Sequence, residues 1–580
     1  MPLPGVSLTV VDGSLGLQSG SNQGVMLYMG CSLSGTTGTL YSFGDNATAT
    51  NTLGGGELLE AVAYSLKVAP GLCMAYSMPP TTRGGVGSVT HVGPGTGTVT
   101  VTIAPQAAIT VQCTTAGTLG TAAFTFQIGS GATSAPVTSA GSWSSTGYQV
   151  PGTYTTIVFT AGSYVAGGTP DIYVISALGA VTHPQGAGPT VPSFTSSPVD
   201  TYNAVTVAIS TAGAVGTMAF TYALDGVNAS SAIVSSASYA IPGTGLVLGF
   251  SGTFTAGDTY SFQSAGPTWT SGDLTTAINA LNGSLLNQAT YSQVCVLGTK
   301  ASSAAWATEV ATLESAVASL AANGVFVVFY SGGPTVGTVL PNAGSITVDS
   351  ADTDSTVITA RQGMSAQDVV PCAGDWLMTS SVSGVQFRRN ASWAAAARAA
   401  KVAASQDIGA ASDGGITSAI KLYRDENATQ GFFNAGITCL RTFSGLGLGG
   451  VYVTRGLTGT TSTSDYYLLA NSRVIKQAQA ITRQFLLPYI NTKVPTVTRN
   501  NIAGTVREDF AQKLESKLGG VLFAQLVASN PQNAVAVSVQ CVRTNNIYTT
   551  GQLQVIVSVQ PYAYSPYVQG TVGMTVQASG

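Results

Sequence analysis

The sequence predicts a mixed α/β protein whose core is interrupted by an all-β insertion. The middle of the chain contains alternating, repeated sequence of β type, and after residue 272 helical spacing alternates with short buried-strand runs. The charge pattern changes at the same point. Residues 1–272 contain 8 acidic and 2 basic residues, whereas residues 273–580 contain 16 acidic and 19 basic residues. Such a break marks a boundary between different kinds of domain.

The central stretch contains an internal repeat. Residues 110–126 align with residues 206–222, and Tyr148–Thr153 aligns with Tyr239–Thr244. A repeat spacing of about 90 residues is too long for a solenoid unit and suits two tandem β-sandwich modules. We therefore predict one inserted module at residues 86–190 and a second at residues 191–272.

Alternation inside this stretch indicates half-buried strands. Threonines at 98, 100 and 102 alternate with Val99, Val101 and Ile103. Each copy ends in an aromatic strand, through Tyr173 in the first and Tyr260 in the second. Threonine and serine on the outer face explain how such modules stay hydrated with so little charge.

The remainder of the chain predicts helices and strands in alternation, as in an α/β layer. The predicted elements are a helix from Leu274, a strand at Val294–Leu297, helices at Trp306–Leu320, Trp393–Ala404, Ser472–Ile490 and Thr505–Leu518, a buried strand at Val325–Tyr330, and C-terminal strands at Val535–Val539 and Leu553–Val559.

Composition excludes several classes of protein. No run of about 18 apolar residues is present, so a transmembrane helix is not expected. The first residues lack the basic character of a signal peptide. A net charge of −3 argues against a protein that grips nucleic acid phosphates. With only 8% charged residues, the surface is expected to be covered largely by copies of the chain or by partners.

The sequence contains no recognisable catalytic, cofactor or metal motif. The only histidines, His91 and His183, lie beside glycine or proline and are predicted to be surface residues in loops. GxSxG, HExxH and Walker A patterns are absent. The glycine clusters at 93–97 and 445–450 lack the setting of a dinucleotide site, and we interpret them as loops. We predict no catalytic residue, no cofactor and no metal ion.

Two groups of carboxylates offer weaker candidates. Glu57 and Glu60 are three residues apart and could share one helical face, although capping or solvation of a helix start is the favoured interpretation. Asp349, Asp352 and Asp354 do not have the spacing of a calcium-binding EF-hand, so we predict a loop there.

The cysteines number seven and include no CxxC pair. They are Cys31, Cys73, Cys113, Cys295, Cys372, Cys439 and Cys541. One interpretation is seven free thiols in a protein made in a reducing cytosol. The other is that an assembly released into oxidising surroundings forms disulfides between subunits.

The C-terminal third contains an ordered set of motifs. The first motif is the stretch Gly449–Gly456, and a Ser/Thr loop comes after it. The segment Asp465–Ile475 and a helix from Lys476 to Ile490 come next. An amphipathic helix within 501–520 is the last motif. This order resembles the tail sheath proteins of contractile-tailed bacteriophages. The opening Pro4-Gly5-Val6 strand resembles the N-terminal arm of that family. The resemblance covers about residues 1–85 and 273–580, and residues 86–272 depart from it as an insertion of two surface β-modules.

The resemblance implies a structural subunit that polymerises helically around an inner tail tube and contracts to drive the tube through the host envelope. It implies a virion location after assembly in the host cytoplasm. The implied partners are further copies of the chain, the tube protein, and baseplate and tail terminator proteins, without nucleic acid binding or membrane insertion.

The resemblance also implies roles for particular segments. Terminal arms would add strands to sheets of neighbouring subunits, through Val6, Leu8, Val10, Val555, Val557, Val559, Val572 and Val576. Arg507, Lys513 and Lys517 would lie on a helix that faces the tube, although an ordinary solvated face is an equal alternative. The expected domains are a strand arm at 1–15, core at 16–85 and 273–490, the modules at 86–190 and 191–272, and a C-terminal domain at 491–580.

Three alternatives remain open at this point. The chain could form the sheath of a related contractile injection system. The tandem β-modules would also suit a cell-surface or fibre-type adhesin, which predicts a secretion signal. An enzyme with carbohydrate-binding β-modules predicts a cluster of acids or histidines in the α/β part, and no such cluster can be assembled from the sequence.

Overall fold

The computed structural model describes residues 25–283, 291–298, 300–335, 352–443, 449–499 and 502–565. The predicted arm residues Val6, Leu8, Val10, Val572 and Val576 lie outside these ranges, as does Asp349. The chain divides into two compact units. The large unit comprises residues 23–402 and 408–469, and the C-terminal unit comprises residues 1–22, 403–407 and 470–580.

Helices and strands are numbered in chain order. Up to residue 83 they are β1 (Met26–Cys31), β2 (Leu40–Phe43), α1 (Asn46–Leu53), α2 (Glu57–Val68) and β3 (Cys73–Met78). Residues 85–265 contain β4 (Gly85–Val86), β5 (Thr90–Val92), β6 (Thr98–Ile103), β7 (Ile109–Thr115), β8 (Gly117–Thr118), β9 (Ala123–Ile128), β10 (Val137–Thr138), β11 (Tyr148–Gln149), β12 (Thr156–Val158), β13 (Ser163–Tyr164), β14 (Ile172–Ile175), β15 (Val181–Gln185), β16 (Ser193–Thr195), β17 (Tyr202–Thr211), β18 (Gly213–Ala214), β19 (Ala219–Ala223), β20 (Ile233–Val234), β21 (Ser238–Ile241), β22 (Leu246–Ser251), β23 (Thr253–Phe254) and β24 (Thr259–Ala265).

From residue 271 onward the elements are α3 (Ser271–Gly283), β25 (Gln293–Val296), α4 (Ser303–Ala322), β26 (Val328–Gly332), α5 (Asp354–Gln362), β27 (Val369–Cys372), β28 (Asp375–Thr379), β29 (Gln386–Asn390), α6 (Ala391–Lys401), β30 (Ala419–Leu422), β31 (Leu440–Thr442), β32 (Val451–Val453), α7 (Leu469–Leu486), β33 (Thr496–Arg499), β34 (Ile502–Val506), α8 (Glu508–Leu526), β35 (Ala536–Cys541), α9 (Ile547–Thr550) and β36 (Val555–Gln560). The mixed α/β class predicted from the sequence is confirmed.

The large unit is built around a central sheet in the order β2-β3-β1-β25-β26-β27. All neighbouring pairs are parallel except β2 with β3. The parallel strands are buried on both faces, which explains their continuous apolar sequence. Helices α2 and α6 pack in the hydrophobic cluster on one face, and α3 and α4 pack in the cluster on the other.

Sequence explains how two of these helices pack. In α6 the alanines at 394–397 and 399 are buried beside Trp393, and their small side chains let the helix approach the sheet closely. Helix α4 begins after Ser302, whose side chain accepts a hydrogen bond from Ala305 N, and it buries the stripe from Trp306 to Leu320 that its spacing predicts. By contrast, α5 begins at Asp354, where we expected a loop.

The insertion consists of two bodies with the same strand pairing. In the first body (residues 109–175) the pairs are β10–β9, β9–β7, β7–β14, β8–β13 and β11–β12. In the second body (residues 202–265) the corresponding pairs are β20–β19, β19–β17, β17–β24, β18–β23 and β21–β22. Each body encloses its own hydrophobic cluster. The half-buried alternation predicted for residues 98–103 is present in β6.

Two straps complete the bodies: the first is separated from its partner body along the chain, and the second directly follows its partner body. The first strap (residues 90–103) pairs with the second body, through β5 with β24 and β6 with β22. The second strap (residues 181–195) pairs with the first body, through β15 with β14 and β16 with β12. The predicted boundaries at 86–190 and 191–272 therefore assign the first strap and β16 to the wrong module, whereas β15 falls in the module predicted for it. Alternation indicates that a segment is a strand, but it does not specify the partner strand.

The C-terminal unit contains α8, most of α7 and two antiparallel hairpins, β33–β34 and β35–β36. Helix α8 runs from Glu508 through Gly519 and Gly520 to Leu526. The predicted helix at 505–518 is therefore wrong at both ends, because Thr505 and Val506 belong to β34 and the glycines do not stop the helix. Leu522 and Leu526 continue its buried stripe, and this packing outweighs the cost of two helical glycines.

Candidate functional site

The carboxyl edge of the central sheet is where an open α/β fold usually binds a ligand. The strand order changes direction between β1 and β25, and a cavity of about 40 Å³ lies at this edge. Its lining includes Gly298, Gly332, Asn203 and Arg389. A water molecule needs about 10–15 Å³ of such volume, so the cavity holds a few waters, whereas ligand pockets measure about 300–1,000 Å³.

Buried ion pairs neutralise the cations around this edge. Arg389 Nη2 lies 2.9 and 2.8 Å from the two carboxylate oxygens of Asp200. Arg388 Nε lies 2.9 Å from Asp375 Oδ2. Lys300 Nζ lies 2.7 Å from Glu309 Oε2. These side chains are almost fully buried, so each cation has a carboxylate that offsets the loss of hydration.

The edge is therefore filled by the chain itself. Asp200 comes from the segment that joins the second strap to the second body, Asn203 comes from β17, and Arg389 comes from β29 of the α/β part. Asp225 of the second body also accepts a hydrogen bond from Gln386 N, at 3.0 Å. These contacts hold the insertion against the α/β part at the position where related architectures bind ligands.

Glu57 and Glu60, the carboxylates singled out in the sequence, lie in the first turn of α2. Burial raises the pKa of Glu57, and Arg389 partly offsets this. Burial and the nearby Asp200 raise the pKa of Glu60 to about 7. Glu60 Oε1 accepts a hydrogen bond from Ser383 Oγ at 3.4 Å, and Glu60 does not line the cavity. A carboxyl group with this pKa could exchange protons near neutral pH, but the cavity offers it no substrate site.

Within the described ranges, no group of three or more His, Cys, Asp or Glu side chains is arranged to hold a metal ion. Nor is any helix in the described part both long and apolar enough to cross a bilayer. Asp352 and Asp354 take part in helix-terminal contacts: Asp352 accepts a hydrogen bond from Ser303 N, and Asp354 pairs with Arg424 at 3.0 Å.

The predicted tube-facing residues lie at the start and on the exposed side of α8. Arg507 precedes the helix, and its Nε and Nη2 contact Asp509 at 2.5 and 2.6 Å. Lys513 and Lys517 are exposed and one helical turn apart. They lie away from the buried stripe that includes Leu514 and Leu518. The two lysines thus form a small basic surface.

An ion-pair network joins α8 to the strand β35. Arg543 binds Glu515 through two parallel contacts of 2.6 and 3.0 Å, and its Nε lies 2.9 Å from Glu508. Arg499 also contacts Glu508, at 2.9 Å. The hydrogen bonds from Arg543 and Arg499 lower the pKa of Glu508 to about 2. Glu515 also accepts a hydrogen bond from Cys541 N at 2.7 Å, which attaches the end of β35 to the helix.

The hairpin β35–β36 contains three of the predicted arm residues. Val555, Val557 and Val559 lie opposite Cys541, Val539 and Val537 in an antiparallel ladder within the chain. Their side chains join the hydrophobic clusters of the C-terminal unit. They are therefore part of a folded hairpin rather than an extended arm. Among the described residues, no further strand pairs with either outer edge of this hairpin.

The prediction that both histidines lie in loops is wrong, because each lies in a strand. His91 lies in β5 and stacks on Tyr260, and His183 lies in β15 and stacks on Tyr173. Each histidine also approaches a fully buried aspartate. The available signal was that both histidines are followed closely by a Gly-x-Gly sequence, at 93–95 and 186–188.

All seven cysteines are buried and free of disulfides. Burial raises the pKa of the Cys113 and Cys541 thiols to about 11 and that of Cys73 to about 12. Since the thiolate is the reactive form, these side chains are structural in the folded chain. This arrangement favours the interpretation of seven free thiols over that of disulfides between subunits.

The fold and the filled sheet edge define a mixed α/β protein with a repeated β insertion. Residues 3–457 match the family model described as DUF2586, N-terminal domain. The match covers most of the sequence, and the chain belongs to this family. No curated protein matches the sequence.

Two solved structures are similar to this chain over nearly their whole length. A sheath tail protein from Desulfitobacterium hafniense has 11% identity and a TM-score of 0.39, covering 92% of this chain and 93% of its own. A sheath tail protein from Listeria innocua has 11% identity and a TM-score of 0.40, covering 93% and 96%. Both belong to the class that the sequence resembles. A likeness of this extent transfers no function to this chain.

Proposed function

We propose that this protein is the structural subunit of a contractile phage tail sheath, which polymerises helically around an inner tail tube and contracts to drive the tube through the host envelope. The observation that carries the proposal is the hairpin β35–β36, whose inner face packs on α8 while both outer edges lack a partner among the described residues. Together with the ordered motifs of residues 449–520, this arrangement suits a chain that assembles through added strands.

An exposed strand edge presents unpaired N–H and C=O groups, which a strand from another chain can satisfy. On the outer face of β36, Ile556 is half exposed, which leaves apolar surface next to that edge. Residues 1–15 and 566–580 are the segments proposed to supply the added strands. A 10-residue strand spans about 33 Å, which is enough to cross into a neighbouring subunit. Such links can stay formed while folded cores slide past one another.

The basic surface of Lys513 and Lys517 is proposed to face the tube. Both side chains are exposed and lie on the helix that also supports the hairpin. A tube surface carrying carboxylates would complement them. The further proposed partners are baseplate and tail terminator proteins at the two ends of the assembly, in a virion put together in the host cytoplasm.

The insertion is proposed to form two β-sandwich modules on the outside of the sheath wall. Both straps and both bodies lie within residues 86–272. Their threonine- and serine-rich exposed faces suit a hydrated exterior without charge. We expect a chain lacking the first body and the second strap (residues 109–195), which keeps Asp200 beside Arg389, to assemble normally if that module only decorates the wall.

Electron microscopy of the purified full-length protein tests the proposal. We expect rings or tubes with helical order, and we expect Ile556→Lys to abolish them because a charge beside the open edge opposes strand addition. Val234→Lys is the matched control, since Val234 is also an apolar strand residue, it belongs to the second body, and it is even more exposed than Ile556. Wild-type protein that stays monomeric under all assembly conditions would contradict the proposal. Binding of such monomers to bacterial cells would instead favour the adhesin alternative.

A further inference from the structure

The edge strands of the insertion differ in how open they are to pairing with another chain. One side of an edge strand presents N–H and C=O groups without a partner strand, and proteins shorten, bend or charge such strands to prevent association. The edge strands of residues 85–265 that have two to four residues are β4, β5, β8, β10, β11, β13, β16, β18, β20, β21 and β23. The five-residue edge strand β15 contains Pro184, which lacks a backbone N–H.

Strand β6 is the exception. It has six residues and lies at the end of the sheet β21-β22-β6, and no further strand pairs with its outer edge among the described residues. Strand β4 of the other sheet contacts β6 but is hydrogen-bonded to β24. The register of β6 with β22 is regular over all six residues. Proline, glycine and charge are absent from β6, and residues 84–170 contain no Asp, Glu, Lys or Arg. The usual protections of a long edge strand are therefore missing.

The repeat supplies an internal comparison for β6. Its counterpart in the first body is β16, since β16 pairs with β12 as β6 pairs with β22. Strand β16 has three residues and directly follows Pro192. Two modules with the same strand pairing thus differ at this edge, which is short in one and fully formed in the other. Because the first body folds with a short strand at this position, folding alone does not explain the length of β6.

The two faces of β6 suit pairing with a second copy of the same strand. Val99 and Val101 pack in the hydrophobic cluster of the second body. The threonines at 98, 100 and 102 are exposed on the other face. A two-fold axis perpendicular to the sheet places two copies of β6 antiparallel and keeps both rows of threonine on one face. Position 100 then lies opposite position 100 or 102 of the other copy, so that threonine meets threonine and apolar side chains meet apolar side chains.

From these observations we propose that the outer edge of β6 pairs antiparallel with the β6 edge of a second copy of this chain. The contact joins the sheets of two second bodies into one continuous sheet and satisfies backbone groups that are open in the single chain. The occupant is a second copy because the edge is self-complementary and carries no charge that would select a different partner. This proposal does not depend on the sheath function, in which contacts between chains are assigned to the hairpin β35–β36.

Disulfide cross-linking of the full-length protein tests the proposal. Thr100→Cys and Thr102→Cys are oxidised by air, separately and as an equal mixture, and the products are compared on non-reducing gels. All seven native cysteines are buried, so the introduced thiols are the accessible ones. We expect a covalent dimer from at least one of the three reactions. Thr195→Cys is the matched control, because Thr195 is an exposed threonine on the corresponding edge strand β16, and it should give about tenfold less dimer.

Sedimentation measures the same contact without a cross-link. Ile556→Lys chains should form a dimer whose fraction rises with protein concentration, since that substitution charges only the edge of β36. Adding Thr100→Lys should raise the Kd of this dimer at least about tenfold, because like charges then meet across the paired strands. Adding Thr195→Lys should leave the Kd unchanged.

Two results would overturn the proposal. One is the absence of a dimer from all three cross-linking reactions, or an equal amount of dimer from Thr195→Cys. The other is equal weakening of the dimer by Thr100→Lys and Thr195→Lys. Wild-type protein that forms no tubes but whose cysteine variants yield the β6 cross-link would contradict the sheath function and support this contact.

Discussion

Replacing Glu60 with glutamine should change how the stability of the large unit depends on pH. Glu60 is 6% exposed, and its Oε2 has no hydrogen-bond partner among the described residues. Its pKa is raised from an ordinary 4.5 to about 7, first by burial and then by Asp200. Glutamine has nearly the same shape but carries no charge.

The sign follows from proton linkage. A carboxyl group with a raised pKa binds its proton more tightly in the folded chain than in the unfolded chain, so the free energy of unfolding falls as pH rises from about 4.5 to about 7. At about 1.4 kcal/mol for each tenfold difference in proton affinity, the interval corresponds to about 3 kcal/mol. We therefore expect Glu60→Gln to gain about 3 kcal/mol relative to wild type between pH 4.5 and pH 8.

Urea denaturation followed by tryptophan fluorescence measures this difference in the large unit, since all five tryptophans lie there. Asp45→Asn is the control, because the pKa of Asp45 is lowered by hydrogen bonds from Thr48 and the group stays ionised throughout this range. Its effect should be equal at both pH values. Equal effects of Glu60→Gln at pH 4.5 and pH 8 would refute the reasoning.

Three further predictions concern the ion pairs, the helix α8 and the thiols. Asp200→Ala leaves the buried Arg389 guanidinium without its carboxylate and should lower the free energy of unfolding, followed by tryptophan fluorescence, by about 3–5 kcal/mol. Asp413→Ala is the control: it removes a 3.9 Å ion pair at a partly exposed carboxylate and should cost less than about 1 kcal/mol. Leu522→Ala should lower the stability of the C-terminal unit by about 2–5 kcal/mol, measured by amide exchange in α8. Phe523→Ala should be nearly neutral, because Phe523 is half exposed. Equal effects of the two substitutions would contradict the assignment of Leu522 to the buried face of α8. A maleimide reagent should label none of the seven cysteines in the native protein and all of them in urea. The protein should migrate identically on reducing and non-reducing gels. Labelling of a thiol in the native protein would show that this thiol is accessible.

The sequence was most informative where a pattern depends on local geometry. The stripe from Trp306 to Leu320 predicts α4 because residues three and four apart share a helix face, and all of its apolar members are buried. The continuous apolar run at Val325–Tyr330 likewise predicts a buried strand, although β26 begins only at Val328. At α8 the same logic failed, because Leu522 and Leu526 continue the buried stripe through Gly519 and Gly520, beyond the predicted end at Leu518.

The candidate site could not be predicted because its parts are distant in the chain. Asp200 and Arg389 are 189 residues apart, and nothing local to either residue indicates the other. Glu57 and Glu60 were found as a pair on one helix, but their raised pKa values arise from burial and from Asp200. A single histidine beside glycine does not indicate a buried aspartate, and only the comparison of His91 with His183 shows the Gly-x-Gly sequence that follows both.

By itself, the sequence determined the mixed α/β class, the position of the insertion, its internal repeat and most of the helices, since these depend on periodicity and composition. Only the tertiary structure decided which strap completes which body, that Val555, Val557 and Val559 form an internal hairpin, and that the sheet edge is closed by the chain's own ion pairs. The physical reason is that a strand's hydrogen-bonding groups and a charge's partner are satisfied by whatever lies beside them in space. Alternation and charge along the chain do not encode that neighbour.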